Sequence, residues 1–250
     1  MIEHYKISLV KEIIRLFKNN NYFDDYNIDI STPQGSFELL ISGVLYAARV
    51  KEELAKRTFF QLRENGLLDL ERLAKREKKD EEKVVQILVE SYRCQFSKKA
   101  KKDAIFDNAK RVKYLCDGDL STIYFKFEKN SKKTFEFLGN FHINAKRSYI
   151  CREMRLRGPW KDFEGKYCCV PDVHVKRALV KTGLAEFDGE RAEDMSDDLT
   201  REYIYKYFGD DFDLPMFFLG KYFCSIERHE ECPEKIRANC KNVKRHYRRN

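Results

Sequence analysis

Apolar residues recur at helical spacing along most of the chain, and this periodicity predicts a helical protein. Near the N-terminus the apolar positions share one side of an amphipathic helix that is expected to pack on a core. These positions are Ile7, Val10, Ile14 and Phe17. We expect the next helix to begin at Ser36, whose hydroxyl can accept a hydrogen bond from the first turn. The apolar stripe that follows consists of Phe37, Leu40, Ile41, Val44, Leu45 and Ala48.

The middle of the chain continues this pattern with one ambiguous stretch. Further helices are predicted over residues 67–76, 80–93 and 97–118. Gly118 is suited to end the third of them, because glycine adopts the left-handed conformation that follows many helices. In residues 121–141, Ile123, Phe125 and Phe127 alternate with polar residues, which locally favours a hairpin of two strands.

The candidate functional residues lie at the starts of two predicted helices later in the chain. Lys146 opens an amphipathic helix, and Asn144 before it tolerates the left-handed conformation that a tight hairpin demands. Asp172 precedes a second run of apolar residues at helical spacing, so it is predicted to be an N-cap. That second helix is expected to end at Gly183.

Composition narrows the class of protein. The 250 residues include 49 Lys and Arg against 41 Asp and Glu, which gives a formal net charge of +8. This balance favours an anionic partner, although a Lys- and Glu-rich surface of the thermophile type explains it equally well. No stretch approaches the roughly 20 apolar residues that span a bilayer, so no membrane association is expected. The N-terminus has no signal-peptide core, and the eight cysteines do not form a secreted disulfide pattern, so we expect an intracellular protein.

The stretch around Lys146 and Asp172 resembles the helix-hairpin-helix DNA glycosylase superfamily, and within it endonuclease III. The family's hairpin reads glycine, apolar, glycine, any residue, lysine, and residues 142–146 here read HINAK. Gly158 matches the glycine that closes the helix after the hairpin. The catalytic aspartate of the family lies in a string similar to residues 171–175, PDVHV.

Two further motifs occur in the family order. The string FELLI at residues 37–41 resembles the start of a family helix, and Gly220 with Cys224 resembles the end of the last family helix. The chain departs from the family where both hairpin glycines are replaced and where residues 159–168 are inserted. The inserted Trp160 either stacks on an extruded base or fills a core.

The resemblance implies an all-α fold of two helical domains with an interdomain cleft. The central domain would comprise residues 30–165 and end in the hairpin. The second domain would comprise residues 1–29 and 166–250, including a cysteine-containing C-terminal loop. The resemblance also implies a helix, rather than strands, over residues 131–139.

The implied catalytic residues are Lys146 and Asp172. The amine of Lys146 would attack C1′ of the sugar and form a Schiff base, and both the helix N-terminus and Arg147 disfavour its ammonium form. Asp172 would stabilise the positive charge that develops on the sugar. The alternatives are a surface lysine and an ordinary N-cap. His174 is expected to have a structural role.

Residues for DNA and metal binding follow from the same resemblance. The predicted DNA contacts are His142, Ile143, Asn144, Arg147 and Arg49. Arg49 is included because it follows Ala48, the position at which the family often has a glutamine that enters the gap left by the extruded base. The family closes with four cysteines that hold an iron–sulfur cluster. Here the candidate ligands are Cys224, Cys232, Cys240 and His229. They could hold a cluster of the 4Fe-4S type or zinc, and the remaining alternative is a degenerate loop with free thiols.

The predicted function is therefore base-excision repair by a monomeric DNA glycosylase with abasic-site lyase activity. Its partner would be double-stranded DNA with a damaged base or an abasic site. The alternative is a non-catalytic relative that binds distorted DNA. An RNA-binding role for the basic tail at residues 241–250 would depend on charge alone.

Overall fold

The computed structural model describes residues 2–17, 20, 26–46, 51–92, 98–143, 146–224, 230–238 and 240. All regular elements in these ranges are helices, so the prediction of an all-α protein is confirmed. None of these helices is long and apolar enough to cross a membrane. The chain divides into two compact units. The terminal unit comprises residues 1–22 and 168–250, and the central unit comprises residues 23–167.

The helices are numbered here along the chain. Those of the described residues are α1 (Ile2–Phe17), α2 (Pro33–Leu45), α3 (Glu52–Glu64), α4 (Leu70–Lys75), α5 (Lys78–Tyr92), α6 (Lys98–Leu115), α7 (Ile123–Lys126), α8 (Ser131–Phe137), α9 (Arg147–Leu156), α10 (Val173–Lys181), α11 (Asp197–Phe208), α12 (Leu214–Tyr222) and α13 (Glu234–Arg237). Short 3₁₀ turns lie at Leu120–Thr122, Leu138–Asn140, Gly165–Cys168, Ala192–Asp194 and Gly209–Asp211.

Helix α2 begins three residues earlier than the predicted cap at Ser36. Thr32 is the N-cap, and its hydroxyl accepts a hydrogen bond from the N–H of Gly35 at 3.0 Å. Pro33 follows at the first helical position, where the missing N–H costs no helical bond. Ser36 lies inside the helix and donates to the carbonyl of Pro33 at 2.7 Å. The predicted start was wrong because Thr32 followed by Pro33 is a stronger signal for a helix start than a serine within the first turn.

The core of the central unit surrounds α2. Its residues from Gly35 to Leu45 are buried, and it packs against α3, α6 and α9. Five residues of the predicted apolar stripe are buried and the sixth, Ala48, lies outside the described residues, but Leu39 on another side of the helix is buried as well. A helix that is apolar on every side lies inside its domain rather than on its surface.

The ambiguous stretch between residues 121 and 141 is helical, and the local prediction of strands is wrong. Helix α8 begins after Asn130, whose side chain accepts from the N–H of Lys133 at 2.9 Å. Glu128 and Lys129 have positive φ angles of 52° and 59°, so the chain reverses direction between α7 and α8. Five alternating residues are too few to outweigh these capping signals.

The terminal unit packs α1 against α11, α12 and α13, and α10 against α12. Its tightest helix contact is at Gly220, where an added Cβ would lie 2.0 Å from the carbonyl oxygen of His174. Helix α1 buries Leu9, Val10, Ile13 and Phe17, whereas Ile7 is 52% exposed. Of the four residues predicted to face the core, Val10 and Phe17 are buried, whereas Ile7 and Ile14 are not. Apolar residues occur on more than one side of α1, so the sequence alone did not show which side is buried.

Candidate active site

The hairpin before α9 is held by two buried apolar side chains. Phe141 and Ile143 are 4% and 1% exposed, and the exposed His142 stands between them. The N–H of Phe141 donates to the carbonyl of Leu138 at 3.1 Å, and that of Lys146 donates to the carbonyl of Ile143 at 2.9 Å. Asn144, the predicted left-handed residue and DNA contact, lies outside the described residues. The described part of the hairpin is thus fixed to the central unit by burial and by backbone hydrogen bonds.

His142 is bonded to α6 through its backbone, and its side chain lies next to the same helix. Its backbone N–H donates to Oδ1 of Asn108 at 2.8 Å, and its Nε2 lies 3.6 Å from Oδ2 of Asp107. The N–H that the resemblance assigns to a DNA phosphate is therefore already bonded within the central unit. His142 was predicted as a DNA contact, and the group that remains exposed for such a contact is its side chain.

Lys146 is the N-cap of α9, as predicted for a lysine that opens this helix. Its φ and ψ are −85° and 6°, and no side chain caps the helix. The side chain is partly exposed, and among the described residues its amine has no ion pair and no hydrogen bond. Lys101 and Lys181 differ, because they are buried and their amines donate to the backbone carbonyls of Val44 and Cys224. In contrast to these two lysines, the amine of Lys146 has neither an ion pair nor a hydrogen bond among the described residues.

Arg147 links α9 to α8. Its guanidinium carbon lies 4.6 Å from the ring centroid of Phe135, and its Nη1 donates to the carbonyl of Phe135 at 3.4 Å. Arg147 was predicted to assist Lys146 and to contact DNA, and it is partly exposed. Its stacking keeps a positive charge next to the N-terminus of α9. Arg49, the other arginine predicted to contact DNA, lies outside the described residues.

The buried face of α9 holds polar groups that orient the helix. The hydroxyl groups of Tyr149 and Ser42 are 2.9 Å apart in the core. Glu153 is 2% exposed and accepts from Arg152 at 3.2 Å and from Arg157 at 3.0 Å. Burial, and then the charge of Glu153, raise the pKa of Tyr149 well above its ordinary value. The contact between Tyr149 and Ser42 joins α9 to α2 and so helps to set the rotation of α9, from whose start Lys146 extends.

Sequence reasoning missed this network. The two hydroxyl groups come from positions 107 residues apart, and no local pattern marks them as partners. A buried arginine–glutamate pair is also invisible from spacing, because adjacent charged residues usually lie on the surface.

Asp172 is the N-cap of α10, as predicted. Its Oδ1 accepts a hydrogen bond from the N–H of His174 at 2.9 Å, and its backbone is extended with φ −74° and ψ 155°. Its carboxylate is partly exposed. Just before it, the N–H of Val170 donates at 2.9 Å to Asp213, which is 2% exposed. The position of Asp172 is therefore fixed by its own cap and by this buried carboxylate.

His174 is packed against an aromatic ring and is partly buried. Its ring meets the ring of Phe217 edge-on, with centroids 5.6 Å apart. Burial lowers the pKa of His174 below its ordinary value, and the negative charge of Asp172 opposes that shift only in part. Its Nδ1 is buried and has no partner in the described part of the chain. These contacts suit the structural role that was expected for His174.

Two of the three C-terminal cysteines are buried, and the charge of Lys181 acts on all three. Cys224 and Cys232 are 4% and 5% exposed, and Cys240 is partly exposed. Burial raises the pKa of Cys224 to about 12 and that of Cys232 to about 11, and it also raises the pKa of Cys240. The positive charge of Lys181 acts on all three thiols in the opposite direction.

This arrangement fits a metal site only in part. A buried ammonium group beside three thiols would balance the charge of thiolate ligands. However, no three ligand residues within the described ranges converge closely enough to hold a metal ion. His229, the fourth predicted ligand, lies outside the described residues. No step of the chemistry proposed below depends on a metal.

The two predicted catalytic residues belong to different units, Lys146 to the central unit and Asp172 to the terminal unit. Comparison of the chain with protein-family models, with curated proteins and with solved structures gave no significant match. The resemblance to the glycosylases therefore depends on the sequence motifs alone.

Proposed function

We propose that this protein is a DNA glycosylase with abasic-site lyase activity, acting on damaged duplex DNA in base-excision repair. The observation that carries the proposal is the side chain of Lys146. It leaves the hairpin at the N-terminus of α9, partly exposed and without an ion pair among the described residues. Structural lysines in this protein, such as Lys181, are buried against backbone carbonyls. The absence of a side-chain cap also leaves the start of α9 suited to a DNA phosphate.

The chemistry assigned to Lys146 is nucleophilic. The neutral amine attacks C1′ of the sugar and the base leaves; on a ring-opened abasic site, the amine adds to the aldehyde and water is lost. Either route gives a Schiff base. Loss of a proton from C2′ then expels the 3′-phosphate and nicks the strand, and water releases Lys146 from the product. The damaged base must first leave the helical stack.

Asp172 is assigned the electrostatic part of the reaction. Its carboxylate would stabilise the positive charge that develops at C1′ and would accept a proton during ring opening. Oxidised pyrimidines are the substrates that a relative of endonuclease III would favour, with 8-oxoguanine and mismatched thymine as alternatives. The inserted Trp160 is not assigned to the base. It is fully buried within the central unit, stacks on Phe163 and donates to the carbonyl of Ser121 at 2.6 Å.

Borohydride trapping tests this proposal. Duplexes with an abasic site, thymine glycol or 8-oxoguanine are incubated with the protein and reductant, and covalent complexes are counted. We expect a trapped band that is lost in Lys146→Gln and retained in Lys132→Gln, a matched exposed lysine on α8. Equal trapping in wild type and Lys146→Gln would show that another amine is the nucleophile.

One observation favours a second candidate, a non-catalytic protein that binds distorted DNA. The backbone N–H of His142 is bonded to Asn108 rather than free for a phosphate, so the hairpin differs at this position from that of the catalytic family members. Tight binding to a duplex with an abasic-site analogue, without trapping or base release on any duplex, would support this second candidate.

From the sequence resemblance we also propose that Cys224, Cys232, Cys240 and His229 hold an iron–sulfur cluster of the 4Fe-4S type, with zinc as the alternative. The three cysteines would have to move together to do so, because no three ligand residues converge in the described part of the chain. Support comes from the buried positive charge of Lys181 near the three thiols. The visible absorption spectrum of anaerobically purified protein, with iron and zinc analysis, distinguishes the two metals. Protein that contains neither element would leave the thiols free and would contradict the proposal.

A further inference from the structure

The hairpin is attached to α6 through one completely buried side chain. Asn108 is 0% exposed, and its Oδ1 accepts the N–H of His142 at 2.8 Å. The bond joins positions 34 residues apart. Asn108 is shielded from water whereas His142 is exposed, so the bond is partly buried. Loss of the acceptor would leave the N–H of His142 without a partner in the protein.

The orientation of the Asn108 amide follows from this bond. A backbone N–H can only donate, so the oxygen of the side-chain amide must face His142. Nδ2 then lies on the other side, where it is buried and has no partner in the described part of the chain. An unmatched buried donor costs stability, yet asparagine occupies this position rather than an apolar residue of similar volume. The hydrogen bond that the Asn108 oxygen accepts from His142 must therefore offset the cost of the unmatched Nδ2.

A network of charges holds α6 at the same point. Asp107, next to Asn108, lies 3.6 Å from Nε2 of His142 and accepts from Arg76 at 3.0 Å. Arg76 also pairs with Asp103 at 2.6 Å and with Glu81. The network joins the end of α4 to α5 and α6. The segment of α6 that contains Asn108 is therefore held in place by ion pairs that link it to α4 and α5.

We propose that Asn108 is a positioning residue that holds the start of the hairpin on α6, so that Lys146 and the uncapped start of α9 are presented to a DNA phosphate. The family resemblance assigns close backbone approach to two glycines, which this chain lacks. Here the hairpin is instead drawn onto α6 by its own His142 amide, and Lys146 follows four residues later. The DNA part of this inference rests on the proposed function, whereas the attachment of the hairpin does not.

Hydrogen exchange tests the attachment without DNA. In the wild type, the amide of His142 should exchange at least about 10²-fold more slowly than an unstructured amide. In Asn108→Leu, which removes the acceptor, this protection should fall about tenfold or more. Val112→Ala, a buried substitution one turn later on α6, is the matched control and should leave the protection of His142 intact. An unprotected His142 amide in the wild type would overturn the proposal, even if the variant does not fold.

DNA binding tests the consequence. Asn108→Leu should lower affinity for a duplex with an uncleavable abasic analogue about tenfold. The single-turnover nicking rate at saturating DNA should change less than about threefold, because Lys146 itself remains. A variant that was merely less stable would lose active protein without changing the affinity of the folded fraction.

Asn108→Asp supplies the rescue. Its oxygen can still accept from His142, but the buried carboxylate is close to Asp107. Relative to the wild type, its affinity should recover as the pH is lowered and the carboxyl group becomes neutral, while Asn108→Leu shows no recovery. Unchanged affinity in Asn108→Leu, with an active wild type, would overturn the positioning role. A wild type that neither binds nor nicks abasic DNA would instead contradict the proposed function and leave the exchange result to decide the attachment.

Discussion

The starts of α9 and α10 differ in what their first residue does for the fold. Asp172 caps α10 with a hydrogen bond to the N–H of His174, whereas Lys146 caps nothing at the start of α9. Aspartate is among the best N-cap residues, but lysine is not selected for that position by helix stability. Lysine at an N-cap also places a positive charge at the positive end of the helix dipole. Helix capping therefore explains why an aspartate occupies position 172, but it does not explain why a lysine occupies position 146.

This difference decides how each residue can be tested. Replacement of Lys146 removes a group on which the fold does not depend, so a loss of activity reports chemistry. Replacement of Asp172 removes a helix cap as well as a carboxylate, so stability and activity change together. The predictions below separate these effects, beginning with the largest.

Lys146→Gln should lower strand nicking at least about 10³-fold, because the nucleophile is removed. The free energy of unfolding should change by less than about 0.5 kcal/mol, since the side chain is partly exposed and makes no contact on which the fold depends. Single-turnover nicking of abasic DNA and urea denaturation measure the two quantities. A large loss of stability in this variant would show that Lys146 has a structural role after all.

Asp172→Ala and Asp172→Asn should separate capping from catalysis. Alanine removes the bond to the N–H of His174 and should cost about 1 kcal/mol of stability, while asparagine keeps it. Both variants should lower base release or nicking about 10²-fold, because neither has a carboxylate. Denaturant titration and single-turnover rates are measured on the same preparations. Full activity in Asp172→Asn would reduce Asp172 to an N-cap.

The sequence predicted the start of α10 and the ends of α6 and α10 because their signals are local. Asp172 lies two residues from the N–H that it accepts, and Gly118 and Gly183 adopt positive φ angles of 83° and 70° just beyond their helices. Such signals depend on a few neighbouring residues, so periodicity and residue type suffice to find them.

The contacts that position Lys146 could not be predicted in this way. The bond between Asn108 and His142 and the bond between Ser42 and Tyr149 join residues 34 and 107 positions apart. Asparagine and serine in helices are common, and nothing in their neighbourhoods distinguishes a buried partner from a solvated side chain. Trp160 likewise packs against Tyr124, which only the folded chain brings to it.

Gly220→Ala should disturb the start of α10 from a distance. The added methyl would lie 2.0 Å from the carbonyl oxygen of His174, so α12 or the first turn of α10 must move. We expect a loss of about 2 kcal/mol in the free energy of unfolding. Gly43→Ala in α2 is the matched control, because its methyl would lie at least 3.5 Å from its nearest neighbours, Tyr149 and Ile150 of α9, and helix propensity favours it by up to about 1 kcal/mol. Equal effects in the two variants would contradict the close packing of α10 and α12.

The smallest predicted effect concerns the charge of Asp172 at the start of α10. Burial holds the pKa of His174 below 6.5, while the negative charge of Asp172 raises it. Since the folded pKa is lowered, the stability gained from neutral His174 is fully present above about pH 6.5. It is lost as the pH falls from there through the lower, folded pKa.

Asp172→Asn removes the opposing charge but keeps the cap. The pKa of His174 should therefore fall further, and the loss of stability should extend to lower pH. An NMR titration of the His174 ring in both proteins measures this shift, and urea denaturation across the same pH range measures its effect on stability. An unchanged or higher pKa of His174 in Asp172→Asn, relative to the wild type, would show that the carboxyl group of Asp172 has no electrostatic effect on His174. The carboxylate would then be a poor group to stabilise positive charge on a sugar, and the start of α10 would keep only its structural role.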